Sequence, residues 1–210
     1  MIKAVIFDLD GVIVSTDDLH YQAWKYMADQ EHIEFNKKIN HRLRGVSRME
    51  SLNIILENAT KTYTEEDKIK LANLKNNYYV ELLNKLTPKD ILPNVLEVLK
   101  ALKEKHIKIA IGSSSKNAKT ILKHINLYDA FDVIADGHDI KHSKPAPDIF
   151  LVAAERLGLK PESCMVVEDA VAGIIAAKKA QMIAVAVSDA TKSDLADYKF
   201  DNIEALLSLI

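Results

Sequence analysis

The chain has 210 residues, of which 48% are hydrophobic and 28% are charged, and its formal net charge is −2. A chain that is disordered throughout has few apolar residues and a large net charge, so this composition excludes global disorder. The near balance of acidic and basic residues also argues against non-specific nucleic-acid binding, which needs an excess of positive charge.

Cysteine content and apolar runs indicate the compartment. Cys164 is the single cysteine, which excludes an internal disulfide framework and a cysteine-based zinc site and favours a reducing environment. The longest apolar runs, such as Met182–Val187, are far shorter than the roughly 20 residues of a membrane helix. Asp8 and Asp10 stand where a signal peptide would be apolar. We therefore expect a cytoplasmic chain, complete as given, with no membrane contact.

The first predicted element is a strand at Ala4–Phe7, and the segment after it is different in character. Between residues 17 and 88 no strand-like run stands out, and apolar residues recur at steps of three and four. The predicted helices here are Leu19–Ala28, Ser51–Asn58 and Glu65–Leu86. The pattern predicts an all-helical insert over residues 17–88.

From about residue 88 onward, short apolar runs alternate with amphipathic segments. The predicted strands are Ile107–Ile111, Phe131–Ala135, Met165–Val167 and Met182–Val187. The predicted helices are Asn94–Glu104, Asn117–His124, Asp148–Leu157, Val171–Lys179 and a last one at Asn202–Ile210. This alternation is typical of parallel βαβ units, so we expect an α/β fold with a Rossmann-like, doubly wound parallel sheet.

The domain division follows from these two patterns. We expect a core domain formed by residues 1–16 and 89–210 and a helical cap domain formed by residues 17–88. The chain would cross between them near Thr16 and near Pro88. Two neighbouring crossings would form a hinge.

Polar side chains come directly after the predicted strands. In an open α/β sheet, ligands bind outside the carboxyl ends of the strands. Four segments fall there: Asp8-Leu9-Asp10-Gly11, Gly112-Ser113-Ser114-Ser115-Lys116-Asn117, Glu168-Asp169, and Lys144-Pro145 before a helix. We therefore expect these groups to meet at one edge of the sheet.

Their chemistry predicts a phosphate site with a metal. Clustered carboxylates suit Mg²⁺, a hard cation that also binds water and substrate phosphate. A serine-rich turn at the start of a helix, together with Lys144, favours an anion. An aspartate can act as the nucleophile of phosphoryl transfer. Each segment alone also fits a capping, turn or solvent-exposed role, and only their joint placement favours the site.

The same residues carry a family resemblance. Asp8-Leu9-Asp10-Gly11-Val12, Ser113, Lys144-Pro145 and Glu168-Asp169 resemble, in order and spacing, the four motifs of the haloacid dehalogenase-like phosphotransferase superfamily. Further segments resemble the β-phosphoglucomutase family, whose members interconvert β-glucose 1-phosphate and glucose 6-phosphate. These segments are His20–Trp24, Arg44–Arg48, Lys75-Asn76, Ser113–Asn117 and Ser143–Asp148.

The resemblance implies roles for particular residues. Asp8 would be the nucleophile and Asp10 the general acid/base. Mg²⁺ would be held by the carboxylates of Asp8 and Asp169 and the backbone oxygen of Asp10, with Glu168 adjacent. Ser113 and Lys144 would hold the transferring phosphoryl group. The non-reacting phosphate would be held by Arg48, Ser115, Lys116 and Asn117. The sugar side and the cap closure would involve His20, Trp24, Gly45, Val46, Ser47, Ser51 and Lys75.

The resemblance also implies partners, and it leaves alternatives. β-Glucose 1,6-bisphosphate would be the intermediate and activator, and we expect a monomer that acts on a small sugar phosphate without nucleic acid. A sugar-phosphate phosphatase of the same superfamily remains an alternative, as does a non-catalytic sugar-phosphate-binding protein, and a dehalogenase fits less well. Arg48 favours the mutase, which must bind a phosphate at both ends of its intermediate. Taken alone, Trp24 fits a core residue and Lys75 an exposed lysine.

Overall fold

The computed structural model describes residues 1–43 and 46–210. Its central feature is a six-stranded sheet in the order β3-β2-β1-β4-β5-β6, and every strand pair is parallel. The strands are β1 Ala4–Phe7, β2 Lys108–Gly112, β3 Val133–Ala135, β4 Cys164–Glu168, β5 Ile183–Val187 and β6 Tyr198–Phe200. This is the strand order of a doubly wound Rossmann-like sheet, so the predicted α/β fold class is confirmed.

Both faces of the sheet are buried because successive side chains of each strand point to opposite sides. In β1, Val5 and Phe7 pack into one apolar cluster, whereas Ala4 and Ile6 pack into another. The first face is covered by α5 Val95–Glu104 and α6 Ala118–His124, and the second by α7 Asp148–Leu157 and α8 Val171–Lys179. Strands covered on both sides carry apolar residues at nearly every position, which is the pattern in the sequence.

The insert after β1 is helical, as predicted. Its helices are α1 Asp17–Gln30, α2 Lys37–His41, α3 Arg48–Leu56 and α4 Glu65–Leu83. Capping boxes start α3, at Ser47 with Glu50, and α4, at Thr64 with Asp67. Trp24, which packs with apolar residues of α1, α3 and α4, belongs to a third buried cluster formed entirely within the insert.

The two chain crossings lie side by side. Val14 and Ile91 form an antiparallel bridge, and the Leu92 amide donates to the Ile13 carbonyl at 2.9 Å. The end of α4 also packs with β1, since Tyr79 and Leu83 share a buried cluster with Phe7. The outgoing and returning segments are therefore tied together where the insert leaves the sheet.

Some elements differ from the prediction. The edge strand β6 and the short helix α2 were not predicted, because neither carries a buried apolar run. Glu65–Leu86 was predicted too long, as α4 ends at Leu83. The predicted last helix, Asn202–Ile210, is a 3₁₀ helix over Ile203–Leu209.

Cys164 begins β4 and is buried, and burial raises the pKa of its thiol to about 11. A thiol that stays protonated at neutral pH is unreactive. Across residues 1–43 and 46–210, none of the helices combines the length and the apolar character needed to cross a membrane.

Candidate active site

A cavity of about 950 Å³ lies between the carboxyl ends of the central strands and helices α1, α3 and α4. Every predicted site residue that the structure describes lines it. On the sheet side these are Asp8, Asp10, Ser113, Ser115, Lys116, Asn117, Lys144, Glu168 and Asp169, and on the helical side His20, Trp24, Val46, Ser47, Arg48, Ser51 and Lys75. Gly45, predicted on the sugar side, lies outside the described residues.

Lys144 joins two carboxylates at the bottom of the cavity. Its ammonium group donates hydrogen bonds to Asp8, which follows β1, and to Glu168, which ends β4. Burial alone would lower the pKa of Lys144, but the charges of Asp8 and Glu168 raise it above its ordinary value. Lys144 therefore stays charged and fixes the orientation of Asp8 Oδ1.

Asp8, Glu168 and Asp169 form a group that fits a metal ion. Each offers a carboxylate oxygen, and these oxygens lie within 4.8 Å of one another. Burial raises the pKa of Asp169, and the charges of Glu168 and Asp8 raise it further. One ammonium group does not balance three carboxylates, and a hard divalent cation such as Mg²⁺ would complete the charge balance.

Two glycines make room for these carboxylates. Gly11 has a φ of +83°, and a Cβ there would overlap Asp169 Oδ2. A Cβ at Gly173, on α8, would overlap the carboxyl group of Glu168. Any side chain at either position would displace an acidic group, so the glycines are part of the construction of the site.

The Asp10 carboxylate is held apart from this acidic group. Its Oδ1 accepts from the Thr16 amide at 2.6 Å, and its Oδ2 accepts from the Thr16 hydroxyl at 2.7 Å. Burial raises its pKa to about 6, although the Thr16 hydrogen bonds act in the opposite direction. A carboxyl group with a pKa near neutrality exchanges protons readily at physiological pH, as a general acid/base must.

The serine-rich turn closes the sheet side of the cavity. The Ser113 hydroxyl accepts from the Ser115 amide, and the Ser115 hydroxyl accepts from the Asn117 amide, both at 3.2 Å. Both hydroxyls thus keep their own hydrogen for an acceptor in the cavity. The neighbouring Ser114 Oγ is buried and has no hydrogen-bond partner among the described residues, a feature that the sequence did not predict.

Lys75, on α4, lies on the helical side and is buried. A lone lysine on an amphipathic helix predicts an exposed side chain instead. Only 2% of Lys75 is exposed. Its Nζ lies 2.8 Å from His20 Nδ1 and over the rings of Trp24 and Tyr79, at 4.9 Å and 4.4 Å. Burial, and then the nearby Arg48 charge, hold the pKa of Lys75 well below its usual value.

Arg48 lies at the start of α3 and reaches toward the serine-rich turn. Its Nη2 donates to Asn76 Oδ1 at 2.8 Å, and Asn117 Nδ2 donates to the same oxygen at 3.0 Å. No carboxylate within the described residues forms an ion pair with Arg48. The sequence predicted no role for Asn76, although Lys75-Asn76 was among the segments that carried the resemblance.

Comparisons with known proteins agree with this geometry. The family model for haloacid dehalogenase-like hydrolases matches residues 2–181. The β-phosphoglucomutase of Bacillus subtilis is 48% identical over 88% of this chain and 83% of its own. The fructose-1-phosphate phosphatase YqaB of Escherichia coli is 33% identical over 87% of this chain and 95% of its own.

Among solved structures, the β-phosphoglucomutase of Clostridium difficile superposes with a TM-score of 0.92 at 42% identity, covering 99% of this chain and 96% of the other. The fold, the acidic group beside the buried lysine and these similarities lead to one conclusion. The chain belongs to the haloacid dehalogenase-like hydrolase family and is a homologue of the β-phosphoglucomutases.

Proposed function

We propose that this protein is a Mg²⁺-dependent β-phosphoglucomutase. It would interconvert β-D-glucose 1-phosphate and glucose 6-phosphate through an aspartyl-phosphate on Asp8 and a glucose 1,6-bisphosphate intermediate. The 48% identity to a β-phosphoglucomutase over most of the chain supports this assignment above that of a phosphatase.

The observation that supports the proposal is that two regions of one cavity carry side chains able to bind an anion. Asp8, Ser113 and Lys144 lie on the sheet side, and the second region is formed where Arg48 of the helical side is joined through Asn76 to Asn117, next to Lys116. A phosphatase needs only the first region. A mutase must bind a sugar with a phosphate at each end, so both regions are needed.

Asp8 is the proposed nucleophile. Lys144 holds Oδ1, and no described residue donates a hydrogen bond to Oδ2. In the forward half-reaction, a carboxylate oxygen of Asp8 forms a bond to phosphorus while the bond from phosphorus to the sugar oxygen breaks. Ser113 and Lys144 would hold the phosphoryl oxygens during transfer, which requires chiefly positioning and charge neutralisation.

Asp10 is the proposed proton carrier. When the sugar oxygen leaves phosphorus, the protonated Asp10 gives it a proton, and in the reverse half-reaction Asp10 takes the proton from the attacking hydroxyl. Thr16, at the crossing into the insert, donates hydrogen bonds to both carboxylate oxygens of Asp10. Movement of the insert would therefore change the position of the proton carrier.

The carboxylates of Asp8 and Asp169, with the Asp10 backbone oxygen and Glu168 alongside, are the groups that would hold Mg²⁺. When bound, the cation would neutralise charge on the transferring phosphoryl group. We also propose that residues 17–88 act as a cap domain over the core domain of residues 1–16 and 89–210. Closure of the cap would exclude water and favour transfer to sugar over hydrolysis.

The test is incubation with β-glucose 1-phosphate, Mg²⁺ and a trace of glucose 1,6-bisphosphate. We expect glucose 6-phosphate as the main product and little free phosphate. Release of free phosphate without glucose 6-phosphate would instead identify a sugar-phosphate phosphatase, the activity of one relative. The monomeric state, the absence of a nucleic-acid partner and the cytoplasmic location stay predictions from the sequence.

A further inference from the structure

We propose that Asn76 is a positioning residue that orients, before substrate arrives, the two side chains that bind the non-reacting phosphate. Arg48 Nη2 and Asn117 Nδ2 both donate to Asn76 Oδ1, at 2.8 Å and 3.0 Å. The inference deepens the proposed function and rests on its assignment of Arg48 and Asn117 to the non-reacting phosphate.

The hydrogen bonds to Asn76 leave donors free on both Arg48 and Asn117. An amide oxygen has two lone pairs, and the two hydrogen bonds occupy both of them. A guanidinium group has five N–H donors and an amide nitrogen has two, so Arg48 and Asn117 keep unused donors. Asn76 therefore fixes both side chains without using up the hydrogens that a phosphate would accept.

The two hydrogen bonds to Asn76 also join parts of the molecule that are far apart in sequence. Arg48 starts α3 and Asn76 lies within α4, both in the helical insert, whereas Asn117 directly precedes α6 beside the sheet. One oxygen thus sets the separation between the donors of the insert and those of the sheet side. A long arginine side chain loses rotamer freedom when it binds a ligand, and this loss is reduced if a neighbour already orients it.

The neighbouring Asn77 provides a matched control. It lies on the same helix and is exposed. The structure shows no side-chain hydrogen bond to Asn77 from the described residues. Asn77→Ala makes the same chemical change one residue away, so it measures any general effect of losing an asparagine from α4.

The experiment is calorimetric titration of the Mg²⁺-loaded protein with glucose 6-phosphate, a probe that needs no turnover. We expect Asn76→Ala to weaken binding about tenfold, the effect of one charge-assisted hydrogen bond. Asn77→Ala should bind within about twofold of wild type, the range of ordinary surface substitutions. Equal effects of the two substitutions would overturn the proposal.

Two further variants separate positioning from a purely structural role. In the Arg48→Ala background, Asn76→Ala should add about threefold or less, because residues that act through one another are not additive. Asn76→Leu keeps a similar volume but removes the acceptor, so it should bind as weakly as Asn76→Ala. Full additivity, or wild-type binding by the Leu variant, would contradict the proposal.

The outcome also distinguishes this inference from the proposed function. If Arg48→Ala binds glucose 6-phosphate as well as wild type does, the assignment of the non-reacting phosphate to Arg48 fails. If Arg48→Ala weakens binding and Asn76→Ala does not, only the positioning role fails. If both weaken binding but no glucose 6-phosphate forms from β-glucose 1-phosphate, the site stands and the mutase assignment fails.

Discussion

The charged side chains on the two walls of the cavity have different kinds of partner. On the sheet side, three carboxylates, Asp8, Glu168 and Asp169, lie around the ammonium group of Lys144. On the helical side, Arg48 and Lys75 contact neutral partners: the Asn76 amide for Arg48, and the His20 ring for Lys75. Burial, and then the Lys75 and Arg48 charges, hold the pKa of His20 well below its usual value, so His20 stays neutral.

This contrast indicates what each wall requires. The acidic group on the sheet side would be balanced by a metal ion. The Arg48 guanidinium on the helical side, which pairs with no carboxylate of the described residues, would be balanced by a phosphate. A sugar with a phosphate at each end can satisfy both walls, provided that a cation accompanies the phosphate on the sheet side. Substitutions and metal titration can test the two walls separately.

The largest effect is expected at Asp8, on the sheet side. Asp8→Asn keeps the shape but removes the nucleophile, so turnover should fall by a factor on the order of 10⁴ or more. Mass spectrometry after incubation with acetyl phosphate should detect no phosphoenzyme. The exposed Asp18 provides a control, and Asp18→Asn should retain activity. A phosphoenzyme detected in the Asp8→Asn variant would show that another residue is the nucleophile.

A smaller effect is expected at Asp10, because it moves a proton and does not bond to phosphorus. Asp10→Asn should slow conversion of β-glucose 1-phosphate by about 10²- to 10⁴-fold, the usual contribution of general acid/base catalysis. Mg²⁺ binding, measured by calorimetry, should persist, since the Asp10 carboxylate lies outside the acidic group. Wild-type rates in this variant would exclude the proton-transfer role.

Metal binding tests the acidic group on the sheet side directly. At about 100 times its Kd, Mg²⁺ should stabilise the protein by about 2.7 kcal/mol, which corresponds to a rise in Tm of about 5 to 10 °C. Asp169→Asn removes one of the repelling carboxylates. In excess chelator it should therefore melt above wild type, and most of the Mg²⁺-dependent rise should be lost. An unchanged response to Mg²⁺ would place the metal elsewhere.

The smallest effect is expected on the helical side. Arg48→Ala removes a charge-assisted contact worth about 1.5 to 3 kcal/mol and should weaken sugar-phosphate binding by one to two powers of ten. Hydrolysis of acetyl phosphate, which is too short to reach Arg48, should be largely spared. Arg42 pairs with Glu57 and does not line the cavity, so Arg42→Ala is the matched control. Equal losses in both assays would indicate general damage to the sheet side.

The local pattern of apolar and polar residues was sufficient to predict the fold class and the sheet side of the site. The strands β1, β2 and β4 are apolar runs that end in Asp8, Ser113 and Glu168-Asp169. Parallel strands bring their carboxyl ends to one edge, so residues next to strand ends can be placed together without coordinates. The edge strand β6 and the short helix α2 escaped prediction because neither carries a buried apolar run.

The residues of the helical side were predicted from the family resemblance, but the burial of their side chains was not. A lysine on an amphipathic helix indicates an exposed side chain, yet Lys75 is buried against His20, Trp24 and Tyr79. Burial of a charged group depends on which other helices cover it, and the sequence of one helix does not contain that information.

The sequence by itself therefore determined the class of sheet, the helical insert and the chemical identity of the acidic edge, because these follow from local periodicity and from the geometry of parallel sheets. The tertiary structure alone decided how Lys144 divides its hydrogen bonds between Asp8 and Glu168, and how Arg48 and Asn117 share Asn76. These contacts join residues far apart in the chain. The Lys144 contacts arise when the core folds, and the Asn76 contacts arise when the insert packs against the sheet, so no local pattern specifies the resulting distances.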